Sequence, residues 1–172
     1  MGYLKNKVVY LCGPITNVSD DGTTWRNYLT PILETKFGII VDDPCKKTID
    51  GVGEIGADKL YFKKLIKERQ FERVKKEFYK IIRKDLKSVD KSDFLIFYHE
   101  PKIATVGTYH EVVNAVNSKK PVLLMCEEQN LDNLNPWLLT LIKSQWLFTN
   151  WDDMLLYLEQ IDNERLDTSH WW

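Results

Sequence analysis

Cysteine is scarce and scattered in this chain: Cys12, Cys45 and Cys126 form an odd set with no C-x-x-C pair. That excludes a zinc ribbon or a dithiol redox motif. Cys12 and Cys126 lie in apolar runs, where a reduced cysteine behaves as a small hydrophobe. Both are expected to be buried and inert, in a reducing compartment. An excess of either charge is also missing. Lys and Arg number 24 against 25 Asp and Glu, a net charge of −1, which gives no drive towards nucleic acid or an anionic membrane. Long apolar runs are absent too. The opening MGYLKNKVVYLCGPI has about seven apolar residues together, too few for a secretory signal or a membrane span. Asn6 stands where a myristoylation signal wants Ser or Thr. The expected location is the cytoplasm. With no G-x-G-x-x-G and no P-loop, dinucleotide binding and nucleoside-triphosphate hydrolysis lose support. His99, His110 and His170 have no ligand-like spacing, so neither a metal nor a cofactor is expected.

What is present suits one domain over residues 1–172, with a small molecule as its default partner. Val8–Cys12, Phe94–Tyr98 and Pro121–Cys126 are continuous apolar runs, as in strands buried on both faces of a parallel sheet. Gly38–Val41 and Trp146–Phe148 read as two shorter strands. Helices are expected over 22–35, 70–88, 106–117, 136–143 and 151–163, from apolar residues at three- and four-residue spacing. Residues 45–69 read as a lid or an insert, with a short helix in KLYFKKLIKER. Strands alternating with helices imply a parallel sheet with right-handed crossovers and helices on both faces. Ligands bind such sheets at the carboxyl ends of the strands.

Three segments meet at that edge. Gly13 and Pro14 follow the first strand, where a glycine lets backbone approach a ligand. Asp85 lies near the expected end of the 70–88 helix, where an acid is electrostatically unfavourable. Asp90 and Asp93 read as turn residues. Glu111 sits about one turn into a helix that opens at Gly107, placing a carboxylate near the positive pole and facing the crevice. That is what a carboxylate nucleophile needs. Thr108-x-x-Glu111 also fits a capping box, and the residues alone leave both roles open. His110 is expected to face elsewhere, since adjacent helix residues point about 100° apart.

The ordered set YLCGPI, RKDLKSVDKSDFLIFY and VGTYHEVVNA resembles the nucleoside 2-deoxyribosyltransferase family over roughly residues 7–148; the 45–69 stretch has no match. The resemblance implies a flavodoxin-like, doubly wound, five-stranded parallel sheet. It implies that Glu111 attacks the anomeric carbon of a nucleoside, that Asp85 protonates and contacts the departing base, and that Tyr10 orients the nucleophile. A second free base, or water, then takes the sugar. Gly13, Pro14, Arg26, Thr105, Gly107 and Asn135 are the implied substrate contacts, with Asn135 reaching the sugar across a boundary in a homo-oligomer. The terminal Trp171 and Trp172 are candidates for subunit contact, base stacking or packing on their own subunit. The sequence departs from the best-known transferases at Thr105, where they carry an acid. Related nucleoside 5′-monophosphate N-glycosidases use a hydroxyl there, with Arg26 as a candidate phosphate contact. A hydrolase, and a catalytically silent nucleotide-binding domain, are therefore the alternatives.

Overall fold

The computed structural model describes residues 2–48, 51–169 and 171. Strand β1 (Val8–Cys12) is walled in on both faces, and Val9, Tyr10, Leu11 and Cys12 are fully buried. Helix α1 (Thr23–Phe37) returns the chain to β2 (Ile40–Asp42). Gly38 does not start this strand. It sits at φ 65° and its N–H caps the carbonyls of Glu34 and Leu33, a left-handed stop that glycine takes without steric cost. Helices α2 (Gly56–Lys67) and α3 (Phe71–Lys91) precede β3 (Phe94–Tyr98). Then come α4 (Val106–Asn117), β4 (Val122–Met125), α5 (Pro136–Leu141), β5 (Leu147–Phe148) and α6 (Trp151–Asp162).

All five strands are parallel, in the order β2-β1-β3-β4-β5. This is the flavodoxin-like order, and its direction reverses between β1 and β3. Leu95 pairs with Tyr10 and Phe97 with Cys12. Helices α3 and α4 contact one another and β1. On the opposite face Trp25 of α1 stacks on Trp151 of α6, with ring centroids 5.8 Å apart.

The structure adds detail in three segments. Within the 45–69 region, Phe62 and Leu65 of α2 bury against Ile81 of α3 in a small second core. Helix α3 runs on to Lys91, so Asp85 lies well inside it, beyond the last turn where the helix pole acts. Asp90 belongs to that helix too, and Asp93 ties down the start of β1, accepting from Val8 N at 2.7 Å. Trp171 is buried and packs on its own chain, against Phe94 and Tyr157. Phe94 begins β3, so Trp171 sits at the end of the sheet away from the ligand edge. His170 and Trp172 lie outside the described residues. Among the described residues no helix is long and apolar enough to cross a membrane.

Candidate active site

A cavity of about 450 Å³ opens at the carboxyl end of β1, between α3 and α4. The side-chain period of a strand builds its back wall. Tyr10 and Cys12 are two residues apart, so both point to the α4 side of the sheet. There they meet Glu111. Tyr10 donates its hydroxyl to Oε1 at 2.8 Å, and the Cys12 thiol donates to Oε2 at 3.0 Å. Burial pushes the tyrosine and cysteine strongly towards their protonated forms, with the nearby Glu111 charge adding to it. Both therefore remain donors.

The capping-box alternative for Glu111 does not form. Helix α4 starts at Val106 with Thr105 as its N-cap, Thr108 lies inside the helix, and the carboxylate bonds to β1. Burial drives the Glu111 carboxyl upward, and the two donors from Cys12 and Tyr10 pull it down. Burial wins, and the group is pushed up to about 7. Near neutral pH such a carboxylate is substantially ionised, held from behind and more basic than an exposed one.

Asp85 and Glu54 line the same cavity. Their carboxyls share a hydrogen bond, and Asp85 is raised first by burial, then by that bond and by the charge of Glu54. Two carboxyls so joined hold one proton between them. The site thus presents a proton-holding carboxyl pair beside a carboxylate, the two kinds of group that general-acid and nucleophile roles use.

Several other expected contacts also fall here. Gly13, Thr105 and Gly107 line the cavity. A Cβ at Gly13 would press to 3.0 Å on both the Tyr98 carbonyl oxygen and the Trp25 ring, whereas one at Gly107 would meet nothing within 4 Å. The first glycine is required by packing; the second leaves room beside the α4 N-terminus. Asn17 donates to the Ala104 carbonyl at 2.9 Å, joining the loops after β1 and β3 at the mouth. His110, expected to face elsewhere, reaches the lining.

Pro14 and Arg26 are placed differently, and Asn135, expected to act across a subunit boundary, lies apart from this cavity. Pro14 lines a separate cleft on the α1 side of the sheet. Arg26 borders the cavity but is fully buried. Its guanidinium donates to the carbonyls of Gly22, Leu11 and Gly13, and Nε lies 3.5 Å from Asp43. Arg26 therefore shapes the loop after β1 instead of standing free for a phosphate. Asn135 caps α5, accepting from Trp137 N at 2.8 Å, and lies outside the cavity of its own chain.

Two participants escaped the sequence reading. Cys12 is buried as expected and also donates to Glu111, and its position two residues after Tyr10 was the signal for a shared face. Glu54 had a weaker mark, an acid within the glycine-bearing stretch Gly51–Gly56.

No family model matches the chain, and no curated protein does. Solved structures do. A 2-deoxyribosyltransferase from Bacillus psychrosaccharolyticus superposes with TM-score 0.59 at 16% identity, over 86% of this chain and 89% of that one. A conserved protein from Enterococcus faecalis V583 gives 0.56 at 17% identity, over 94% and 99%. A CMP N-glycosidase from Clostridium botulinum gives 0.47 at 14% identity, over 89% and 98%. At these identities the likeness to the first two is one of fold.

Proposed function

We propose that this chain is a nucleoside 2-deoxyribosyltransferase acting as a single domain, with Glu111 as its nucleophile. The observation that carries the reading is the Glu111 carboxylate, gripped by Tyr10 and Cys12 and open to a cavity that also holds Asp85. The sequence resemblance and the shared fold with the Bacillus transferase support it. A Glu111 oxygen attacks C1′ of a nucleoside as the C1′–N bond breaks. The bond's electron pair leaves with the base, which takes the Asp85 proton. A ring nitrogen of a second base then attacks C1′, the ester bond breaks to restore the Glu111 carboxylate, and the base's surplus proton returns to Asp85, through an oxocarbenium-like transition state in each step. Residues 45–69 act as a cover that brings Glu54 to the cavity. Asn135, outside its own cavity, serves that of a neighbour in a homo-oligomer. Such an enzyme would belong to cytoplasmic nucleobase salvage.

One observation favours a second reading, a nucleoside 5′-monophosphate N-glycosidase. The Thr105 side chain makes no capping bond to α4, leaving its hydroxyl and a helix N-terminus for a phosphate. The enclosed Arg26 argues against it. Incubation with a 2′-deoxynucleoside, with and without a second free base, and with the 5′-monophosphate separates these. We expect a new nucleoside only when the second base is added. Base release from the monophosphate alone would establish the glycosidase instead, and no product from any mixture would leave a silent binding domain.

A further inference from the structure

The transfer mechanism above gives Glu54 no step of its own, yet it is closely placed. Its loop is tied on both sides: Gly53 N donates to Asp58 at 2.7 Å and Gly56 N to Asp21 at 2.9 Å. Lys59 pairs with the same Asp21. Gly51 and Gly56 hold φ of 79° and 59°, turns that favour glycine. The result is a carboxyl brought onto Asp85 inside the cavity. Lys84, Lys47, Arg26 and Glu111 are the charged groups around the pair.

Two carboxyls sharing one proton offer a ligand one donor and one acceptor side by side. Adenine shows the complement at N7 and its 6-amino group, and cytosine at N3 and its 4-amino group. Hypoxanthine and guanine set N7 beside a carbonyl oxygen, two acceptors together. A carboxylate facing that oxygen is left without a donor. We propose that the Glu54–Asp85 pair reads the departing base and selects 6-aminopurines and 4-aminopyrimidines over 6-oxopurines. This rests on the glycosyl-transfer reading. Asp85 gives its proton to the ring nitrogen as the C1′–N bond breaks, while Glu54 accepts from the amino group.

The test compares 2′-deoxyadenosine with 2′-deoxyinosine as donors to free cytosine, in the wild type, Glu54→Gln and Glu54→Asp. The wild type should favour deoxyadenosine in kcat/KM by about tenfold or more, because a site built for a hydrogen bond rejects the ligand that lacks it. Glu54→Gln, whose amide can present either its oxygen or its nitrogen, should bring the ratio to within about threefold. Glu54→Asp should keep the preference. Equal efficiency in the wild type, or a ratio that Glu54→Gln does not move, overturns the inference and leaves glycosyl transfer standing. Turnover of neither nucleoside overturns both. If Glu54→Gln does not fold, calorimetry of adenine against hypoxanthine on the wild type decides: tighter adenine binding supports the inference and equal binding overturns it.

Discussion

Two clefts open on opposite faces of the same sheet edge, and the carboxyl of Asp20 in one is shifted opposite to those of Glu111 and Asp85 in the other. The larger, about 700 Å³, is walled by Trp25, Tyr98 and Trp151 and edged by Asp20, Glu100 and Glu127. Its rings pack on one another, with Trp25 5.5 Å from Tyr98 and 5.8 Å from Trp151. Asp20 and Glu127 bond within their own chain. Asp20 accepts from the N–H groups of Gly22 and Thr24, and Glu127 accepts from the Tyr98 hydroxyl. Burial works against the Asp20 charge, but bonds from Thr24 and Gly22 outweigh it, and the carboxyl is lowered. In the smaller cleft burial prevails, and Glu111 and Asp85 are raised. Size and acid content do not separate the two clefts; the balance of burial and hydrogen bonding does. A carboxyl saturated by backbone N–H groups is a structural cap, whereas one buried beside other acids retains its proton or its basicity for a reaction.

Removing the central group of the smaller cleft should break the contrast most. Glu111→Gln is expected to lower transfer by about 10⁴-fold or more, as losses of nucleophiles do, measured with a deoxynucleoside and a second base. The same variant reports on stability. The raised carboxyl means that the folded chain keeps a proton the unfolded chain has lost. Wild-type stability should therefore fall as pH rises from about 4.3, the unfolded value, through the folded value. Thermal melts across that range should show the fall flattened in Glu111→Gln.

Weakening the grip on Glu111 sharpens the comparison further. Tyr10→Phe removes the donor at 2.8 Å, and a lost hydrogen bond to a charged group should slow transfer by about tenfold. It also removes a contact that lowers the Glu111 carboxyl. The acid limb of the kcat/KM profile, which rises as Glu111 ionises, should move to higher pH. An unmoved limb would deny Tyr10 its role.

The smallest effect belongs to the larger cleft. Asp20→Ala should leave transfer within about twofold of wild type and cost about 1 kcal/mol of stability, the usual worth of a helix-capping side chain. Because the Asp20 carboxyl is lowered on folding, that contribution is present above its unfolded value and disappears as pH falls through the folded one. Denaturant melts at neutral and strongly acidic pH would detect this.

The sequence by itself determined the elements and their layering. Apolar runs such as Val8–Cys12 and Phe94–Tyr98 can be accommodated only where both faces are covered, and their alternation with amphipathic helices leaves a parallel sheet as the economical solution. It also put Glu111 at the carboxyl edge, because the loop after β3 opens α4 there, whereas Asp85 reaches that edge only because α3 runs on to Lys91. Only the tertiary structure decided what those residues meet. It turned Arg26 inward onto carbonyls, Pro14 to the other face and Trp171 onto Phe94. It also brought the thiol of Cys12 to Glu111 and Glu54 to Asp85. Periodicity specifies a face and an edge, but hydrogen-bond partners and the desolvation that sets a carboxyl's charge depend on atoms distant in the chain.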